Sequence, residues 1–197
     1  MEIFIFIGIG ISSIAFLVII IAVLFYKTYE ALGVRAGKQG EKAATEIIRQ
    51  VLQEDDILLT NICVNYKEKA TELDNVIINC RGVFIIEVKN YSGTLIGEED
   101  DYEWTKYKVS RGGNIYEKQV RNPIKQVKRQ VFILARFLKY YGFNVLVDGY
   151  VLLLNNNSPV HSDMILESLE EIDWALHRQS HNSLNNDTVI ALKELLL

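Results

Sequence analysis

The stretch ELDNVIINCRGVFIIEVKN, residues 72–90, decides how this chain is read. It has the form of a tight hairpin made of two apolar strands, yet it carries Asp74 at one end and Glu87 and Lys89 at the other. Side chains alternate along a strand, so Glu87 and Lys89 share one face while Ile86 and Val88 take the other. A turn centred between Cys80 and Arg81 sets Asp74 opposite Glu87, with Cβ atoms ~4.5–5.5 Å apart on one face. A three-residue turn would shift the register by one and separate them.

Two carboxylates facing each other repel unless a cation lies between them. Their hard oxygens suit Mg²⁺ or Mn²⁺ and not zinc. A lysine beside such an ion can hold an attacking water or stabilise charge developing on a phosphate. The combination suits phosphodiester hydrolysis. The plainer alternative is an edge hairpin with solvated charges, Lys89 simply pairing with Glu87.

Working outward, Ala44, Ile47, Ile48, Val51 and Leu52 recur at helical spacing after Glu41, which places that carboxylate at a helix N-terminus where the dipole favours it. ILLTNICVNY (57–66) reads as a strand, and KEKATE (67–72) as a polar turn. Beyond the hairpin come a strand at TLIG (94–97), an acidic loop (98–101) and a second hairpin (102–120) closed by Gly112-Gly113. Asn122-Pro123 marks a helix start, and the helix stops at Gly142. VLVDGYVLLLN (145–155) reads as a strand, SDMILESLEEIDWALH (162–177) as an amphipathic helix and TVIALKELLL (188–197) as a last helix. This is an α/β domain on one mixed sheet.

The helix after Asn122 is basic on its exposed positions. Lys118, Arg121, Lys125, Lys128, Arg129, Arg136 and Lys139 lie in or beside it, and Glu117 is the only acid between Lys106 and Lys139. Beside two carboxylates this reads as a phosphate-backbone track, with Lys125, Lys128 and Arg129 as its main contacts. Taken alone, the same charges also suit a solvated face or an inner-leaflet contact.

The N-terminal run IFIFIGIGISSIAFLVIIIAVLF (3–25) carries no charge and would span roughly 34 Å as a helix, enough to cross a bilayer. It lacks the basic start and small-residue cleavage site of a signal peptide. The expectation is a single-pass anchor. Lys27, Arg35, Lys38, Lys42 and Arg49 follow it, so the N-terminus lies outside and the rest in the cytoplasm. Cys63 and Cys80 form no framework pattern and read as small core residues in a reducing compartment.

Together GKQGE (37–41), ELDNVII (72–78), GVFIIEVKNYSGTLIG (82–97), Trp104 and NPIKQ (122–126) resemble the nuclease-related domain (NERD) family, a branch of the PD-(D/E)xK nuclease superfamily. The resemblance implies a restriction-endonuclease-like α-β-β-β-α-β core and a metal-dependent site. Asp74 and Glu87 would bind Mg²⁺ or Mn²⁺, and Lys89 would serve the nucleophilic water. Glu41 would be the accessory acid, and Gln126 the amide that orients Lys89 or contacts substrate. Leu73 stands where the superfamily motif has proline, as in many members of this family.

The expected organisation is an anchor (1–26), a tether (27–36), the nuclease-like domain (37–155) and a C-terminal helical extension (156–197). In that extension Glu167, Glu170, Glu171 and Asp173 form an acidic helix that disfavours nucleic acid and either packs against the sheet or offers a face to a protein partner. His177 and His181 have metal-compatible helical spacing, but no Glu accompanies them and a solvated helix end is the simpler reading. The function expected is a membrane-anchored nuclease acting on DNA or RNA, in an oligomeric state the sequence leaves open. A catalytically silent nucleic-acid-binding module and a membrane scaffold are the alternatives.

Overall fold

Asn79 pairs with Gly82 across a two-residue turn of Cys80 and Arg81, and the antiparallel ladder runs back to Asn75–Ile86. This is the register that sets Asp74 against Glu87. The computed structural model describes residues 19–24, 26–28, 37–155, 160–178 and 183–197. The chain divides into two compact units, Met1–Gln39 and Gly40–Leu197. In the first, residues 19–24 and 26–28 are helical. The expected anchor and tether lie mostly outside the described residues, among which no helix is long and apolar enough to cross a membrane.

The second unit begins within helix α1, which among the described residues is helical from 37 to 49, so Glu41 stands inside the helix and not in its first turn as expected. Strands β1 (Ile57–Tyr66), β2 (Lys69–Asn79) and β3 (Gly82–Lys89) follow, then β4 (Thr94–Ile96), β5 (Glu103–Val109) and β6 (Ile115–Arg121). Helix α2 (Pro123–Tyr140), strands β7 (Val147–Leu153) and β8 (Ile165–Leu166), and helices α3 (Leu169–His177) and α4 (Asn186–Leu196) complete it. The strands form two sheets where one was expected. Five lie in the order β1-β2-β3-β7-β8, with β3–β7 and β7–β8 parallel, and β4-β5-β6 form a separate antiparallel sheet. The small sheet stands apart because its strands cannot serve as core: only Leu95 and Trp104 on it are buried, and every residue of β6 is exposed except Val120.

Helices cover both faces of the large sheet. On one, α2 and α4 pack Ile133, Leu134, Leu138, Val189 and Leu192 over Val76, Ile78, Val83 and Ile85. On the other, α1 and α3 pack Ala44, Ile48, Ile172 and Leu176 over Ile77, Phe84, Ile86 and Val88. Double coverage is why the hairpin strands are continuously apolar instead of alternating. The same parity places Glu87 and Lys89 on the α2 face, in line with Val83 and Ile85. A third cluster seats Trp104 and Leu95 of the small sheet on Ile124 and Val127 of α2.

Asn122 caps α2 as expected, its side chain accepting from the Ile124 N–H at 2.8 Å. Its amide also donates to the Glu99 and Asp101 carbonyls at 2.9 and 2.8 Å, which ties the acidic loop to the helix start. Three expectations are corrected. The helix over 162–177 is shorter, because Ile165–Leu166 pair with β7 and Ser168 caps a helix beginning at Leu169. Both cysteines are exposed: Cys63 takes the outward position between buried Ile62 and Val64, and Cys80 lies in the turn. His177 is no solvated helix end. Its side chain is only 7% exposed, with Nδ1 2.6 Å from Asp173 and Nε2 2.8 Å from Asp56, so it ties α3 to the loop after α1; His181 lies outside the described residues.

Candidate active site

The charges of the hairpin gather where β3 exchanges partners. Its ladder with β2 stops at Ile86, while its parallel ladder with β7 continues through Glu87–Val151 to Lys89–Leu153. The Val88 N–H, left without a backbone partner on the β2 side, donates instead to Asp74 Oδ2 at 2.9 Å. Both carboxylates therefore belong to one site at the end of the hairpin.

Glu87 is only 3% exposed and is held by three N–H donors. Lys89 Nζ and Gln126 Nε2 each lie 2.5 Å from its Oε1, and Gln130 Nε2 lies 2.6 Å from its Oε2. Gln130, one helical turn beyond Gln126, is the residue that sequence reading missed. Its i, i+4 spacing from Gln126 on the sheet-facing side of a basic helix is the signal that marks it. It also donates to the Glu72 carbonyl at 3.0 Å, while its Oε1 is buried without a hydrogen-bond partner.

Burial lifts the Asp74 carboxyl to about 6, helped by the charge of Glu87 and, more weakly, of Glu41, against the opposing Val88 N–H bond and the Lys89 charge. Burial alone would lower the Lys89 ammonium, but the adjoining Glu87 carboxylate outweighs it and holds the group above its ordinary value. Burial also pushes the Tyr91 hydroxyl up, against the pull of Lys89.

Glu41 acts on Asp74 only through its charge, the smallest of the influences on that carboxyl, from α1, which comes close to the chain just after β3. A Cβ on Gly40 would stand 2.8 Å from the Asn90 Cβ, so only glycine permits the approach. Thr45 fixes the helix, donating from Oγ1 to Asn75 Oδ1 at 2.9 Å on the buried α1 face of β2. The site thus draws on α1, both hairpin strands and α2.

The model of the nuclease-related domain family matches residues 36–154, well over half of the chain. The chain belongs to the nuclease-related domain family. An uncharacterized protein of Bacillus anthracis is 35% identical over 72 residues, which cover 36% of this chain and 34% of that protein, so the chain spans about a third of the relative's length. No solved structure matches.

In this nuclease-related domain the basic residues divide. Arg121, Lys125 and Arg129 line a groove of about 690 Å³ together with Gln126, whose amide holds Glu87, and with Ala70–Glu72 of β2. Lys128 lies on another side of α2, its Nζ 2.8 Å from Glu99. The acids near the C-terminus are partly engaged within the fold: Glu171 accepts from the Glu167 N–H at 2.6 Å, and Asp173 holds His177.

Among the described residues no group of three or more His, Cys, Asp or Glu side chains is placed to hold a metal. Two carboxylates nonetheless suit the hard cation that the family resemblance implies, since Mg²⁺ keeps most of its waters and takes only one or two protein carboxylates. Burial first, and then the charge of Glu87, disfavour a bare Asp74 carboxylate, a penalty that a dication would offset. Asp74 and Glu87 are the residues that would hold it.

Proposed function

We propose that this protein is a divalent-metal-dependent nuclease that hydrolyses phosphodiester bonds of DNA. One observation carries the reading: Asp74, Glu87 and Lys89 meet at the end of the hairpin, and Gln126, whose amide holds Glu87, also lines the groove walled by Arg121, Lys125 and Arg129. A dication bound there supplies charge neutralisation and a more acidic water. The chain's own residues do the rest. Lys89, protonated through its contact with Glu87, offers a cation to phosphate oxygens, and Gln126 and Gln130 orient the Glu87 carboxylate. The basic groove aligns the backbone.

The test incubates the full chain with supercoiled plasmid and Mg²⁺ or Mn²⁺, alongside Asp74→Ala, Glu87→Ala and Lys89→Ala proteins shown to be folded by circular dichroism. Cleavage by the parent and none by the variants is expected. Cleavage that survives all three substitutions would remove the site from the reaction.

A silent binding module is the second reading, favoured by the occupancy of both Glu87 oxygens by N–H donors. It predicts salt-sensitive DNA binding that is indifferent to metal and to Asp74. We also propose that residues 3–25 anchor the chain in a membrane with the domain on the cytoplasmic side, supported by the uncharged apolar run and the basic residues after it. Release of the chain from membranes by alkaline carbonate would refute the anchor.

A further inference from the structure

Beyond Arg129 along α2 lies a second chamber of about 430 Å³, lined by Tyr66, Lys67, Glu68, Lys69, Phe132 and Arg136. Neighbouring residues line the two chambers in turn: Lys69 and Ala70 on β2, and Phe132 and Arg129 three residues apart on α2. Lys125, Arg129, Phe132 and Arg136 are spaced by four, three and four residues and so form one stripe of the helix. Across both chambers six Lys and Arg side chains face two glutamates, Glu68 and Glu72. The walls therefore suit a polyanion.

Phe132 is the anomaly in this stripe. The buried face of α2 is made by Ile124, Val127, Ile133, Leu134 and Leu138, and Phe132 stands outside it, 50% exposed. Its ring carries Lys69 Nζ at 5.6 Å and Arg136 Cζ at 5.4 Å from the centroid. A phenyl ring beside two cations in a groove that suits a polyanion is the pairing used to hold unpaired bases: the cations take the phosphates and the ring stacks on the base. Bases within a duplex are already stacked on each other and offer only their edges to the grooves.

We propose that the far chamber is a stacking subsite for single-stranded nucleic acid, with Phe132 as its platform. The proposal rests on the nucleic-acid reading above and narrows its substrate to one with an unpaired stretch. Gln126 and Phe132 are six residues apart, roughly 9 Å along the helix axis. The stacked base would therefore lie at about that distance along α2 from the amide that holds Glu87.

The test measures binding of the full chain in EDTA, by fluorescence anisotropy, to labelled oligothymidylate and to a hairpin duplex of equal length. Phe132→Ala should weaken single-strand binding about tenfold and duplex binding far less. Phe132→Trp should keep single-strand affinity, and its added fluorescence should be quenched by oligothymidylate. Because the side chain is half exposed and outside the core, both variants should fold as the parent does. Equal losses on the two substrates, or none, would overturn the subsite, as would an equal dependence on Phe132 in binding an acidic peptide. A parent that cleaves duplex while Phe132→Ala leaves single-strand binding intact sinks the subsite alone. A parent that neither binds nor cleaves nucleic acid sinks the nuclease reading with it.

Discussion

Gln130 donates from Nε2 to Glu87 Oε2 at 2.6 Å, while its own Oε1, equally buried, accepts nothing. Half of the amide is engaged by a buried carboxylate and the other half is unsatisfied. Its orientation is set by Glu87, since a flipped amide would turn oxygen toward oxygen.

Replacing Gln130 therefore has two opposed effects. A hydrogen bond to a charged group contributes about 1.5–3 kcal/mol, and deleting the orphan acceptor returns part of that. Gln130→Ala should lose about 1–2 kcal/mol in urea unfolding at neutral pH. Gln130→Glu, which sets a second carboxylate against Glu87, should lose more. A Glu variant as stable as the parent would show that the Gln130–Glu87 contact does not form.

Asp74 makes stability depend on pH in a direction opposite to that of a salt-bridged carboxylate. Its folded value of about 6 lies above the ordinary 3.8, so folding favours the protonated form. Below about pH 4 the group costs nothing. The penalty grows as pH rises from 4 to 6, and above that it is constant, on the order of 3 kcal/mol at 1.36 kcal/mol per unit. In EDTA, Asp74→Asn should be more stable than the parent at pH 7.5 and indistinguishable from it near pH 4. A stability difference that does not change across this window would refute the assignment.

A cation that occupies the carboxylates should relieve that penalty. Mg²⁺ or Mn²⁺ should raise the melting temperature of the parent, by an amount equivalent to about 2.7 kcal/mol at a hundredfold excess over Kd. The Asp74→Asn and Glu87→Gln proteins should not respond. Equal shifts in all three would locate the cation elsewhere, whatever the cleavage assay shows.

The placement of α2 depends on Gly149. A Cβ there would meet Val127 Cγ1 at 2.4 Å and Val131 Cγ2 at 2.6 Å. Gly149→Ala should cost about 1–3 kcal/mol through overpacking. Because α2 carries both Gln126 and Gln130, cleavage should fall as well, although Gly149 touches no reacting group. Full activity in a destabilised variant would show that the helix moves without disturbing Glu87.

The hairpin and the start of α2 were legible because each rests on local rules, alternation and an Asn-Pro cap, whereas the carboxylate pairing followed only for a two-residue turn, a length the sequence left open. The second sheet was not, since three short strands look alike whether or not they join a larger sheet. Partner choice is a long-range property. The groove was half legible: charge counting found Lys125 and Arg129 but could not tell them from Lys128, whose side chain turns instead to Glu99. His177 was misread because its two aspartates come from opposite ends of the unit, Asp56 being visible only in three dimensions.

The hairpin's double coverage has a consequence for how the chain can be silenced. Where one face of a strand is wet, a one-residue slip is forbidden, because it would turn the apolar set into water. Here both faces are dry, and a slip of β3 against β2 would trade Ile for Ile. What resists it is two buried asparagines. Asn79 accepts the Arg81 N–H at 2.9 Å and donates to the Leu176 carbonyl at 3.3 Å, and Asn75 is bound to Thr45. One residue inserted between Cys80 and Arg81 would change which side chain stands opposite Asp74, at a distance of roughly 20 Å along the strand. Loss of activity in a lineage of such proteins could thus be written in the length of a turn while every charged residue of the site is still in place.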